Sequence, residues 1–215
     1  MRSELLARLA GVEHGFLPPG GRPAVPFWRP HQVHGARVVP VRTPDELRES
    51  ADGAFSLTPG LAAAVVTADC APVLLATTDG AAVAAVHAGW RGLAAGVVEE
   101  GVRQLRLARP GAEIAAAIGP AAGACCYEVG PEVLAQLDPE GDLVAPTDDG
   151  HAKIDLRGLV RARLIASGLP AARIEVVGPC TICSDLPSYR RQGKAAGRIL
   201  SYVSPAAAPD APRGA

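Results

Sequence analysis

Residues 61–92, LAAAVVTADCAPVLLATTDGAAVAAVHAGWRG, hold the feature that most constrains this chain: short apolar runs that each end on a reactive side chain. Residues 61–66 lead to Asp69 and Cys70, and residues 81–86 lead to His87. Runs this short suit buried strands and fall below the length of a typical helix. Between them lie a further apolar run, residues 72–76, and an Asp79-Gly80 turn. That pattern predicts adjacent strands of one sheet whose ends deliver Cys70 and His87 to one place. A thiol beside an imidazole is either a metal-binding pair or a nucleophile with its base.

Around this centre the chain reads as follows. Residues 11–30 are dominated by Gly and Pro and predict an irregular entry. HQVHG then places His31 and His34 where the loop meets a strand over residues 36–41. Residues 44–50 predict a short helical turn, and ADGAFSLTPG a loop. Residues 91–107 set Ala94, Val98, Val102 and Leu105 at helical spacing, with Glu99 and Arg103 paired four apart on another face. A strand over 113–118 leads to GPAAGACCYEVG, a Gly-rich loop with neither Gly-Lys-Ser/Thr nor G-x-G-x-x-G, and so a weak phosphate signal. A short helix over 129–137 and an acidic surface loop over 138–150 follow. Asp155 is an N-cap for a helix with Leu156, Val160 and Leu164 on one face, closed by Gly168 and Pro170. Residues 174–177 predict the final core strand, before PCTICSDLPSYRRQGKAAGR. Residues 204–215 are low in complexity and are expected to be a disordered tail behind a single domain over 1–203. Strands alternating with helices place the fold in the α/β (α+β) class.

Composition excludes several functions. A formal net charge of -1 with no long basic run removes the electrostatic footprint of a nucleic-acid binder. No apolar run reaches the ~18 residues of a membrane span, and the first residues lack a signal peptide's apolar stretch, so a cytoplasmic protein is expected. Five cysteines, an odd count, favour reduced thiols or metal ligands over a disulfide framework.

Cys70, His87 and His34 together offer one sulfur and two nitrogens to a transition metal. Zinc suits that set by default, and copper accepts the same ligands. Three protein ligands leave one position open, the arrangement of a catalytic metal. The same residues also allow a plainer reading, with Cys70 a small buried hydrophobe and His87 a satisfied core histidine. Cys125-Cys126 and Cys180-x-x-Cys183 fit no standard zinc-finger spacing, so a structural zinc there is not expected. Arg190 and Arg191, if their loop folds over the metal, would bind an oxyanion or phosphate, and Arg91 could share that task.

The motifs HQVHG, TADCAPVLL, AVHAGWRG, IGPAAGACCYEVG and SYRRQGKAAGR, in that order over residues 32–198, resemble the laccase-domain family. That family was long labelled multicopper polyphenol oxidases and is regarded as broad-specificity purine nucleoside phosphorylases. The resemblance implies a four-layer α/β/β/α sandwich related to cysteine hydrolases, and metal ligation by His34, Cys70 and His87. It further implies substrate contacts from Gln32, Asp69, Arg91, Arg190 and Arg191, and activity on adenosine, inosine, guanosine and methylthioadenosine with phosphate, with adenosine deamination besides. Two departures stand out. GFLPPGG replaces the family's Arg-bearing segment near the N-terminus, and LPSYRR replaces FFSYRR. Three function classes remain open: a metal-dependent phosphorylase, a metal-free cysteine hydrolase using Cys70 and His87, and a binding protein that has lost catalysis.

Overall fold

The computed structural model describes residues 1–205. In chain order the elements are α1 (Glu4–Ala7), β1 (Glu13–Leu17), β2 (Phe27–Trp28), β3 (Val38–Val41), β4 (Gly53–Ser56), β5 (Ala62–Thr67), β6 (Ala71–Thr77) and β7 (Val83–Ala88). There follow α2 (Trp90–Ala94), α3 (Val97–Ala108), β8 (Ile114–Ile118), β9 (Glu128–Val129), α4 (Pro131–Leu137), β10 (Val144–Pro146) and β11 (Ala152–Ile154). The last are α5 (Leu156–Ala166), β12 (Ile174–Val176), α6 (Tyr189–Gln192) and β13 (Ile199–Ser204).

Every residue of β6 and β7 is buried. Strands apolar on both faces belong in the middle of a covered sheet, and β6 and β7 do lie in the middle of a six-stranded sheet of order β12-β8-β6-β7-β4-β3. One face, carrying Val73, Leu75, Ala84, Val86, Ala116 and Ile118, packs under Val98, Val102 and Leu105 of α3 and Val160 and Leu164 of α5. The other, carrying Leu74, Val83, Ala85 and Ala117, meets Phe16, Ala63, Val65, Ile199 and Val203 of a four-stranded sheet of order β1-β13-β5-β2. The molecule is therefore a mixed α/β sandwich with two sheets face to face. On the far flank the short helix α1 lies against β1 and β8. A small three-stranded sheet, β10-β11-β9, is hydrogen-bonded to neither, and Val129 and Ile154 pack it into the helix-covered core.

Strand direction gathers the chemistry at one end of the larger sheet. β6 begins there, and β7, β8 and β12 end there, because β6 runs antiparallel to β7 and β8 while β12 is parallel to β8. Cys70 immediately precedes β6, and His87, opposite Pro72, is the penultimate residue of β7.

Several expectations need correction. Residues 61–66 are not in the sheet of β6 and β7; β5 belongs to the smaller sheet, and the chain crosses between sheets at residues 68–70. The Gly- and Pro-rich entry contains two strands, since β1 gains all its partners from β13, nearly two hundred residues away, which no local pattern reveals. Residues 44–50 form turns without a helix. The helix expected over 91–107 is two, because Gly96 at φ 85° takes a left-handed conformation that ends α2 and opens α3. Arg103 pairs with Glu100 at 2.7 Å, while Glu99 turns to Arg163 of α5 at 3.8 Å. The acidic loop contains β10, and the helix expected from residue 129 starts at Pro131, with Pro in the first turn. Asp155 caps α5 as expected, accepting from the Arg157 amide. β12 is an edge strand, and the last strand is β13, central in the smaller sheet and reaching Ser204 at the start of the expected tail. The rest of that tail, residues 206–215, lies outside the described residues.

Candidate active site

His34, Cys70 and His87 come together at the gathered strand ends. One donor atom from each lies within 4.8 Å of the others, and the two imidazole rings stand edge to face with centroids 4.9 Å apart. His34 is exposed, Cys70 half-buried and His87 buried. The arrangement depends on close backbone approach, because a Cβ on Gly89 would fall 2.9 Å from Cys70 Sγ and 3.3 Å from His34 Cδ2.

Asp52, directly before β4 and joined through its backbone to Arg37 and to His87 of β7, organises the group and has no solvent exposure. Its carboxylate accepts from the amides of Val33 at 3.2 Å, His34 at 2.8 Å and Gly35 at 2.6 Å, and bonds His87 Nδ1 at 2.8 Å. It thereby holds the His34 loop, where His34 itself is at φ 61°, and leaves His87 Nε2 to face the thiol. Burial alone would push the Asp52 carboxyl up, but His87 and the Gly35 and His34 amides outweigh it and hold the carboxyl low. Burial likewise opposes ionisation of Cys70, yet hydrogen bonds from His34 and His87 bring its thiol down to about 6. His87 is pushed up to about 9: burial works against its charge, but Asp52 and Cys70 prevail. A soft anionic sulfur between two imidazoles, one steered by a buried carboxylate, is a donor set that fits zinc or copper.

The other expected site residues divide. Both ends of the Gln32 amide are used by the backbone of Val66, at 2.8 Å each, so Gln32 pins the His34 loop to β5 instead of reaching outward. Asp69, at φ 88°, accepts from Thr181 Oγ1 at 2.6 Å and from the Arg190 amide at 2.7 Å, joining the Cys70 turn to the loop before α6. Arg191 turns back on that loop, donating to the carbonyls of Ile182 at 3.0 Å and Leu186 at 2.6 Å and to that of Ser184. Arg190 lies over the Tyr127 ring at 4.9 Å and donates from Nη1 to the Glu128 carbonyl, and among the described residues no other carbonyl or carboxylate takes its guanidinium N–H groups. Arg91 stacks on Trp90 at 4.2 Å. Pro19, in the segment that replaces the family's Arg-bearing stretch, packs against Gly197.

Residues 21–206 match the family model for multi-copper polyphenol oxidoreductase laccase. The chain belongs to that family. A purine nucleoside phosphorylase of Xylella fastidiosa (strain Temecula1) is 38% identical over 193 residues, covering 85% of this chain and 73% of the relative. The purine nucleoside phosphorylase YfiH of Escherichia coli (strain K12) is 37% identical over 191 residues, covering 86% of this chain and 75% of its own. The crystal structure of YlmD from Geobacillus stearothermophilus superposes with a TM-score of 0.79 at 31% identity, over 86% of this chain and 75% of that one. The mixed α/β fold and the resemblance drawn from the motifs are thus borne out together.

Two site residues escaped the sequence reading. Asp52 stands in ADGAF, which reads as one loop among several, and Tyr127 in CCYEVG, where nothing in the local pattern marks a buried phenol. Tyr127 is buried, and burial together with the negative charges of Cys70 and Asp69 pushes its phenol up to about 12. It is therefore a neutral hydrogen-bond donor at any ordinary pH.

Proposed function

We propose that this chain is a purine nucleoside phosphorylase with a metal, zinc by the chemistry of the donors, on His34, Cys70 and His87. The observation that carries this reading is the convergence of those three residues in a chain aligned over 85% of its length with a relative of that name. In phosphorolysis a phosphate oxygen bonds to C1′ of the ribose as the bond from C1′ to the purine nitrogen breaks. The purine departs with the electron pair and takes up a proton, leaving ribose 1-phosphate. A bound metal would supply Lewis-acid polarisation of a phosphate or substrate oxygen. Arg190, with donors left over, holds phosphate beside the site, and Arg91 offers a second cation from α2. The Tyr127 phenol, kept protonated, donates to an anionic oxygen or to the departing base.

His34 is exposed, so the site opens to solvent. Acceptance of adenosine, inosine, guanosine and methylthioadenosine alike is included in the reading on the strength of the family resemblance. Adenosine deamination, the hydrolytic loss of ammonia from the base, is included on the same ground. All five cysteines are free thiols, which fits a reducing, cytoplasmic setting, and no helix among the described residues is long and apolar enough to cross a membrane.

The test is release of free base from inosine and adenosine, with and without phosphate, by wild type and Cys70→Ala, before and after chelation. Phosphate-dependent release, abolished by the substitution and by the chelator, is expected; inosine formed from adenosine would report deamination. Release without phosphate would indicate hydrolysis. Release that survives chelation but not Cys70→Ala would make Cys70 the nucleophile and His87 its base. A metal-loaded wild type without turnover would be a binding protein.

A further inference from the structure

Four cysteines that the proposed reaction does not use stand together beside the site. Because β8 and β12 are neighbouring parallel strands, the loops that follow them leave the sheet at the same end. The first loop carries Cys125 and Cys126, the second Cys180 and Cys183. A bridge between Ala121 and Cys180 joins the loops, with the Thr181 amide donating to the Ala121 carbonyl at 3.0 Å.

The four sulfurs all lie within 4.8 Å of one another, and those of Cys125 and Cys183 are 3.6 Å apart. Four thiolates held tetrahedrally at a Zn–S distance of ~2.3 Å stand about 3.8 Å from each other. A disulfide would require about 2.04 Å, and all four are free thiols. The backbone is arranged to match. The Gly123 amide donates to Cys180 Sγ at 3.2 Å, and the amides of Ile182 and Cys183 converge on the same sulfur. Converging N–H groups offset the charge of a thiolate.

We propose that Cys125, Cys126, Cys180 and Cys183 form a second, structural metal site for a thiophilic divalent cation, zinc by its preference for four thiolates. With four protein ligands the coordination is closed, so the ion takes no part in turnover. Binding converts four thiols to thiolates and releases their protons. The ion clamps the β8 and β12 loops at their tips. Thr181, next to Cys180, donates to Asp69, the residue before Cys70, and Arg191 is bonded to the Ile182 carbonyl. The clamp therefore fixes the wall that carries Arg190 to the catalytic site.

The test uses the full chain, purified under reducing conditions, with Cys70→Ala to remove the thiolate of the first site. Cys70→Ala should retain about one zinc per chain, released by a mercurial reagent, and its cobalt-substituted form should show the charge-transfer absorption of tetrahedral thiolate ligation. Adding Cys125→Ser and Cys183→Ser should abolish both signals. If that variant does not fold, the cobalt spectrum of Cys70→Ala decides alone. A Cys70→Ala chain that takes up no Zn2+, and whose four remaining thiols react with Ellman's reagent equally fast with and without Zn2+, would overturn the proposal. So would a Cys125–Cys183 disulfide in the protein purified under reducing conditions. None of these readouts depends on nucleoside turnover, so the phosphorylase reading and the second metal site stand or fall separately.

Discussion

Asp52 has no exposed surface and bonds four groups, three amides from residues 33–35 and the ring of His87. A buried carboxylate needs such company, because an unpaired charge in the interior costs several kcal/mol. Asparagine at this position keeps the shape but has one oxygen, and its NH2 would confront N–H groups that need an acceptor. Asp52→Asn should therefore weaken the proposed metal binding at His34, Cys70 and His87 by roughly 10- to 100-fold, the loss expected on replacing a group that orients a liganding histidine. Competition with a chromophoric chelator measures it; an unchanged affinity would show that both histidines hold their places without the carboxylate. The grouping of His34, Cys70 and His87 was legible in the sequence because their residue types mark them as candidates and two of them stand at strand ends. Asp52 was not, since ADGAFSLTPG reads as a loop whereas the Asp-Gly pair in fact leads into β4, and only the approach of three chain segments gives this carboxylate its role. The cysteine cage escaped for the same reason: its spacing is set by the pairing of β8 with β12, not by a local turn.

At the level of elements, the β6–β7 hairpin was readable because its turn is locally determined. The Asp79 carboxylate accepts from the Thr77 hydroxyl at 2.6 Å and the Ala81 amide at 3.1 Å and pairs with Arg109 after α3. The Thr77 hydroxyl, the Arg109 guanidinium and the Ala81 amide together hold the carboxyl down to about 2. A carboxyl depressed by folding contributes stability that is complete above its ordinary value of 3.8 and is lost as pH falls toward 2. Asp79→Asn keeps an acceptor in the turn and removes the charge. The variant should be less stable at neutral pH by under about 1 kcal/mol, because the pair is solvent-exposed, and the gap should close between pH ~4 and ~2. Denaturant melts of both proteins across that range measure it. A gap that stays constant would mean that the hydrogen bonds alone hold the turn. β5 and β13 were harder to place. Pattern shows that residues 61–66 are a buried strand, but not that the next few residues carry the chain into a different sheet. Residues 199–204, following an arginine-rich loop, gain their identity from pairing on both sides, with β1 and with β5.

Across the whole molecule, the layer between the two sheets is rich in alanine: Ala54, Ala63, Ala76, Ala85, Ala115 and Ala117 all lie in it. Alanine favours helix and is depleted in strands, so its local preference points away from the strands it occupies here; alternation of segments carries the α/β class, while the sandwich itself came only from family resemblance. Small side chains have a structural consequence too, since they let the facing sheets approach closely and leave no room for growth. Ala85 is fully buried at the middle of β7, and His87 is two residues further along, on the same face of the strand. Ala85→Leu should force the sheets apart or twist β7, costing about 1–3 kcal/mol. At roughly 2–4 °C per kcal/mol for a chain of this size, the melting temperature should fall by about 2–12 °C. The same distortion should carry to the strand end and weaken retention of the proposed metal at His87 in the folded protein, an effect separable from global unfolding by measuring it well below the melting transition. If the melting temperature drops while metal retention is unchanged, the strand end is anchored by Asp52 and the His34 loop independently of the inter-sheet packing. If neither changes, the alanine layer has slack, and close approach of the sheets is not what positions the site.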